Sequence, residues 1–444
     1  MYKRVLGFIF LVLLLFSVSF SQESLTLESL LPLLQKSPLY QIYQSQYESY
    51  LQSYYASQAQ LKPQLSAQAG YNQGETSVTL SGVTSTSESK IGSITLDYSQ
   101  VLLPWGDVGI SLKSSSIDLE QAKNNFRLNY QNLYYQFLQY FYDLYLAQEQ
   151  LKIYEENYNL AVKQREVAEN QFKNGVINEI TLLDYRQQEK LAEINYSSGK
   201  NNLEIAYKTL ENFLGTKLER IPVKTDIKSD LFSEKPEDLI SALYNGNITI
   251  KNAALDVEKN KLSLEKAKLP SWGVSVGGSY NTGDTSVSFS FNTQDYALGV
   301  GLGQTFGESQ KVAYSTKDVW NFKISFSAPI LDGGTKDISI KQAELSLEQA
   351  ALNYEKTKKD VELSFWKTFY SLLQAQETLK QKEIILEQKK ANYDAQKIRY
   401  ELGLITDLNL KSYEIEYLQA EYDLKNAILD FNLQKVQLDI LLNR

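Results

Sequence analysis

Few residue types in this chain could do chemistry. Among its 444 residues there is no histidine and no cysteine. That removes Ser-His-Asp and Cys-His catalysis, His/Cys zinc sites, haem-thiolate and iron–sulfur ligation, and disulfides. Carboxylates, lysines and 31 tyrosines remain. The acids with the most informative positions are Glu179 and Asp407, each four residues beyond a glycine (Gly175 and Gly403), and Asp184, nine beyond the first. An acid just past a turn suits the start of a helix, where it complements the positive end of the dipole. A carboxylate hydrolase would need two acids held across a cleft, and no compact domain for one is visible in the pattern. No catalytic residue, cofactor motif or metal-ligand set is therefore expected. A formal charge of −8 argues against nucleic acid as a partner. With 43% hydrophobic and 22% charged residues, the chain can bury a sizeable core.

The two glycines belong to a chain written twice. Ser-Ile-Asp-Leu-Glu-Gln-Ala at 116–122 returns as Leu-Ser-Leu-Glu-Gln-Ala at 345–350, an offset of 228 from Leu119 to Leu347. The same offset pairs Ala147-Gln148-Glu149 with Ala375-Gln376-Glu377, Gly175 with Gly403, and Tyr185 with Tyr413. It also pairs Leu96 with Ile324 and Tyr98 with Phe326. Such self-similarity is sought before any other feature. The offset is 207 from Pro63 to Pro270, so the second repeat carries 21 more residues before Trp320. These are expected in a polar Gly/Ser/Thr-rich external loop at about 285–318. The repeats read as 22–215 and 236–444, joined by a connector at 216–235.

Each repeat has the same parts. No proline lies between Pro104 and Pro222 or after Pro329, and Gly403 is the only glycine in 335–444. Windows so free of breakers predict long helices at 107–173 and 335–401, each folding back after its glycine. The helical hairpins are thus 107–214 and 335–442. Apolar residues from Phe126 through Leu133, Phe137, Tyr140, Leu144 and Leu151 to Ala161 alternate spacings of four and three. So do those from Leu410 to Leu441, a coiled-coil repeat. Tyr40, Tyr43, Tyr47, Tyr50 and Tyr54 make a similar stripe, read as a packing seam with hydroxyls at its wet edge. Four segments instead alternate apolar with polar every second residue, at 65–72, 94–99, 274–280 and 320–327. They predict two β-hairpins, about 64–100 and 271–328, each with one apolar face.

Residues 1–21 begin with Lys3 and Arg4, continue through an apolar run to Phe20, and place Ser19 and Ser21 at the −3 and −1 positions. That pattern predicts a secretory signal peptide. Beyond it the mature chain is either a protein exported past the inner membrane or a membrane protein of β type. A secreted or surface coiled-coil structural protein, such as an adhesin stalk, would explain the helices. It has no need of four one-sided hydrophobic strands.

The duplicated helix–Pro–hairpin–long helix–Gly–helix plan resembles the TolC-like outer-membrane efflux family over nearly the whole mature chain. Tyr-Ser-Gln-Val-Leu-Leu-Pro-Trp-Gly at 98–106 and Phe-Ser-Ala-Pro-Ile-Leu-Asp-Gly-Gly at 326–334 are similar to its strand-to-helix passages. The runs around Gly175 and Gly403 are similar to its hairpin tips. The resemblance implies a mainly α fold with a β-barrel part: a long coiled-coil α-helical barrel, plus four strands per chain contributing to a trimeric twelve-stranded outer-membrane β-barrel. It implies a homotrimer in outer-membrane lipid, its helical part in the periplasm. The trimer would be the passive exit duct of a tripartite efflux or type I secretion system, working with a periplasmic adaptor (membrane fusion) protein and an inner-membrane pump. Gly175, Val176, Ile177, Gly403, Leu404 and Ile405 become the expected adaptor or pump contacts. Asp407, Glu179 and Asp184 become candidates for the pore constriction, since three carboxylates around one axis favour cations. The acids this family often has six and nine residues past the second glycine are here Asn409 and Ser412.

Overall fold

The computed structural model describes residues 24–80, 82–308 and 318–444. The expected signal peptide lies outside them. The chain order is α1 (Leu27–Leu34), α2 (Pro38–Ala59), β1 (Gln64–Leu80), β2 (Val83–Val101), α3 (Gly106–Lys173) and α4 (Glu179–Leu214). After the connector come α5 (Pro236–Gly246), α6 (Ile248–Lys268), β3 (Gly273–Thr282), β4 (Thr285–Asn292), β5 (Ala297–Glu308), β6 (Val319–Ser327), α7 (Thr335–Glu401) and α8 (Asp407–Leu442). The long helices α3 and α7 have 68 and 67 residues, and each partner has 36. Each repeat opens with a short helix and a break before its second helix. Ser37 and Asn247 stand at these breaks and are buried. The Ser37 hydroxyl accepts from the Tyr40 amide at 3.3 Å, and the Asn247 carbonyl accepts from the Ile250 amide at 3.0 Å. Each satisfies a helix-start donor that burial would otherwise leave unpaired.

The chain divides into two compact units. One contains Asn129–Ile240 and Phe365–Arg444 with the described residues up to Ile42. Its core is the seam read from the heptads: Leu133, Phe137 and Leu144 are buried with Phe141, Leu210, Leu214, Leu429, Leu30 and Leu34. Phe137 has no exposed surface, and its truncation to alanine would cost about 3–5 kcal/mol. The repeated Ala-Gln-Glu words meet the connector. Gln148 accepts from the Val223 amide at 2.8 Å and donates to its carbonyl at 3.3 Å. Gln376, its equivalent, accepts from the Phe232 amide at 2.7 Å. The two glutamines thus satisfy two backbone amides of a connector that has no helix or strand of its own, beside a single bridge from Val223 to Leu25.

The other unit, Tyr43–Leu128 and Ser241–Ser364, contains the sheet. Its strand order is β1-β2-β5-β4-β3-β6, with every neighbouring pair antiparallel. The sheet has six strands rather than the four expected. Residues 285–292 and 297–308 are not external loop. They form β4 and β5, inserted between the two hairpins, while 309–317 lie outside the described residues. The strands formed because they alternate as the others do: Val287, Phe289 and Phe291 against Ser286, Ser288 and Ser290, then Leu298, Val300 and Leu302 against glycine. β1 and β2 also run longer than expected, 17 and 19 residues.

Candidate functional site

Two places carry the functional geometry. The first is the sheet. Its register aligns most apolar strand positions on one face: Leu65 opposite Tyr98, Leu96 opposite Leu302, Val300 opposite Phe289, Phe291 opposite Val276, and Val276 opposite Ile324. The opposite face aligns Ser66 with Asp97, Asp97 with Gly301, Gly301 with Ser288, Ser288 with Ser279, and Ser279 with Asn321. The apolar face is uncovered, Leu65 and Ile324 being 73% and 64% exposed. Trp105 lies just past β2 and Trp272 just before β3, with Trp105 edge-on to Tyr296 at 5.6 Å and Trp272 beside Phe326 at 6.3 Å. Trp320 and Tyr280 are paired near the far ends of their strands. An apolar band bounded by aromatics is the arrangement of a lipid-facing β wall. β1 and β2 continue past this band in a ladder whose residues are mostly Ser, Thr, Gln, Glu and Lys.

The second place is the pair of hairpin tips. Gly175 and Gly403 take φ of +69° and +71°, the left-handed conformation that ends a helix without a side-chain clash. The Val176 amide donates to the Gln171 carbonyl and the Leu404 amide to the Arg399 carbonyl, both at 2.8 Å, the Schellman closure in each case. Beyond the glycine the two apolar residues part company. Val176 and Leu404 are 69% and 65% exposed. Ile177 and Ile405 are half-buried. Asn178 then caps α4 by accepting from the Thr181 amide at 2.8 Å, and Thr406 caps α8 by accepting from the Asn409 amide at 3.3 Å.

Glu179 and Asp407 are the first residues of these helices and are exposed, as is Asp184 one turn further on. The helix-start position gives Glu179 and Asp407 a favourable dipole interaction whatever else they do. Exposed Ile180, Leu183 and Leu402 widen the apolar tip surface beyond the residues singled out in the sequence. They fall outside the two heptad runs, the first ending at Ala161 and the second beginning at Leu410, and so no sequence pattern marked them.

Behind the tips, α3 and α8 are joined by Ile153, Leu160 and Ile415 and by two ion pairs, Lys425 to Glu149 and Lys411 to Glu156, each at 2.8 Å. Burial works to lower the Lys425 ammonium, but hydrogen bonds to Glu149 and Glu421 outweigh it and hold it above the usual lysine range. Burial likewise works to raise the Glu149 carboxyl, and bonds from Lys152 and Lys425 carry it below the usual range instead.

A sheet with one face for lipid and one for water, in a chain of duplicated long helical hairpins, defines an outer-membrane channel protein of mixed β and α type. The chain belongs to the outer membrane efflux protein family, whose model matches residues 32–216 and 239–444. It resides in the outer membrane, with its helical part in the periplasm. Its fold is similar to that of VceC, an outer membrane protein of Vibrio cholerae (TM-score 0.67, 15% identity, 94% of this chain and 95% of that one). It is similar also to the outer membrane channel CmeC of Campylobacter jejuni (0.67, 15%, 93% and 84%). The open state of the outer membrane channel MtrE of Neisseria gonorrhoeae is a third (0.65, 16%, 93% and 87%). No curated protein sequence matches the chain.

Proposed function

We propose that three copies of this chain form a passive exit duct for a tripartite efflux or type I secretion system, receiving cargo from an inner-membrane pump through a periplasmic adaptor. The observation that carries this is the sheet: one face is uncovered and apolar, and β1 and β6 end it with no further strand among the described residues. In lipid an unpaired edge is not tolerated, so the edges must close on other copies. The helices support the same assembly. Ile338, Leu345 and Leu352 are exposed at heptad spacing on α7, as are Leu363 and Tyr370, then Ile384 and Ile398, and such stripes want helical neighbours.

In this reading the exposed tip residues Val176 and Leu404, with Gly175, Ile177, Gly403 and Ile405 shaping the turns, meet the adaptor or pump. Asp407 provides a ring of three carboxylates where the duct narrows, with Glu179 and Asp184 flanking it. The duct makes and breaks no bond in its cargo. Light scattering of the detergent-purified mature protein tests the assembly. Three chains per particle are expected, and a water-soluble monomer would refute it.

A further inference from the structure

We propose that the β4–β5 hairpin is part of the barrel wall, so that three copies close eighteen strands around a wide exit lined by small polar groups. The inference rests on the duct reading above and adds to it what the outer-membrane segment lets through.

Three observations carry it. First, the inserted hairpin is bonded on both flanks: β5 pairs with β2 from Lys90 opposite Glu308 to Val101 opposite Ala297, and β4 pairs with β3 from Ser275 opposite Asn292 to Thr282 opposite Thr285. A surface loop would leave β2 and β3 to pair with each other. Second, the hairpin keeps the lipid–water alternation of its neighbours without a slip, which a loop in water has no reason to do.

Third, its two strands fit each other on the water face. A side chain on Gly299, Gly301 or Gly303 would put a Cβ within 2.6, 2.6 or 2.5 Å of the hydroxyl oxygen of Ser290, Ser288 or Ser286. Glycine on β5 thus makes room for serine on β4, and the pair presents a smooth, hydroxyl-bearing surface.

Strand directions alternate across the sheet, so β6 of one copy and β1 of the next meet antiparallel and the ring closes. At about 4.8 Å between strands and a tilt of roughly 40°, eighteen strands give a backbone diameter of about 36 Å, against about 24 Å for twelve. Within the band the water face carries Asp97 and Lys323 as its charges, amid Gly, Ser, Thr, Asn and Gln. Such a wall neither sieves cargo nor selects it by charge. Discrimination then falls to the hairpin tips.

The natural absence of cysteine allows a clean test in the full-length protein in planar bilayers, using a charged, membrane-impermeant methanethiosulfonate as probe. Ser288→Cys on β4 should react and step the conductance down, while Phe289→Cys should not react. Ser66→Cys and Ala67→Cys on β1 supply the matching pair for the wall already expected. If 66 and 67 alternate but 288 and 289 react alike or not at all, the hairpin is a loop and the eighteen-strand wall is overturned while the duct stands. If neither pair alternates, the sheet does not line a membrane pore, and both readings fall.

Discussion

Arg165 and Glu189 join α3 to α4 through a charge-assisted hydrogen bond of 2.8 Å, and the same rung of the second hairpin, 228 residues on, is Tyr393 stacked on Tyr417. Those rings lie 5.8 Å apart and 8° from parallel. At this rung the two equivalent hairpins are joined by different physics. One rung weakens as salt screens it, and the other does not. The second hairpin also carries the ion pairs Lys389–Glu416 and Lys382–Asp423, and the first a stacked pair, Tyr158 on Tyr196.

Hydrogen exchange at the two tips should show the difference. Raising salt to about 1 M, where the screening length is about 3 Å, should speed exchange around Gly175 more than around Gly403. The ion pairs of the second hairpin, Lys389–Glu416 and Lys382–Asp423, lie further from its tip than the Tyr393–Tyr417 rung. Arg165→Leu should mimic the salt effect at the first tip, several-fold in rate. Tyr393→Ala should loosen the second by about 0.5–1.5 kcal/mol beyond its lost area. Equal salt response at both tips would show that neither rung controls its hairpin.

Within each tip, outward and inward residues should separate in function. Leu404→Asp and Val176→Asp leave their turns intact and should abolish export while single-channel conductance stays at the parent value. Ile405→Ala removes half-buried apolar contact and should lower hairpin stability by about 1–2 kcal/mol, with export reduced only in proportion. Full export by the Leu404→Asp, Val176→Asp double variant would place the docking surface elsewhere.

Asp407→Asn tests the ring of acids. In planar bilayers it should reduce cation selectivity and weaken block by divalent or trivalent cations, because three like charges around one axis are what draw a cation in. Unchanged selectivity and block would assign Asp407 to the helix dipole alone.

The α3–α8 contact should have a defined pH window. Glu149 is depressed in the folded chain, so its contribution is present above the ordinary value of 4.5 and is lost as pH falls through its lower folded value. Lys425 is raised, so its contribution is present below 10.5 and is lost as pH rises through its higher folded value. Denaturant midpoints should therefore hold level between about pH 5 and 10 and decline outside, with Lys425→Met lowering the plateau by about 1–2 kcal/mol. A Lys425→Met midpoint equal to the parent's at neutral pH would show the pair to be neutral.

Much of this was legible in the residues, and where it was not the reason is specific. Phe137 and Leu144 lay on a heptad long enough that only a buried helix seam could explain it, and they are buried. Ala-Gln-Glu could be seen to repeat but not why, since Gln148 and Gln376 act on connector amides 75 and 144 residues away in sequence. β4 and β5 were missed although their alternation was in plain view at Val287, Phe289 and Phe291. Matching the repeats made the 21-residue surplus look like an insertion between strands, and its Ser, Gly and Thr content fitted a loop. On a wall with water on one side, small polar residues are what the inner face requires. Ile177 and Ile405 could not be told from Val176 and Leu404 by type, because which of two adjacent apolar residues points outward is decided by the turn geometry after the glycine.

The surplus also has a consequence for how such a molecule can change over generations. Inserting one strand between β2 and β3 would turn over everything that follows, delivering residues 335–444 to the cell exterior instead of the periplasm. Inserting a hairpin restores the original direction before β3 begins. Parity therefore makes two strands the smallest increment by which this lineage can enlarge its opening, and the symmetry of the assembly multiplies each increment by three.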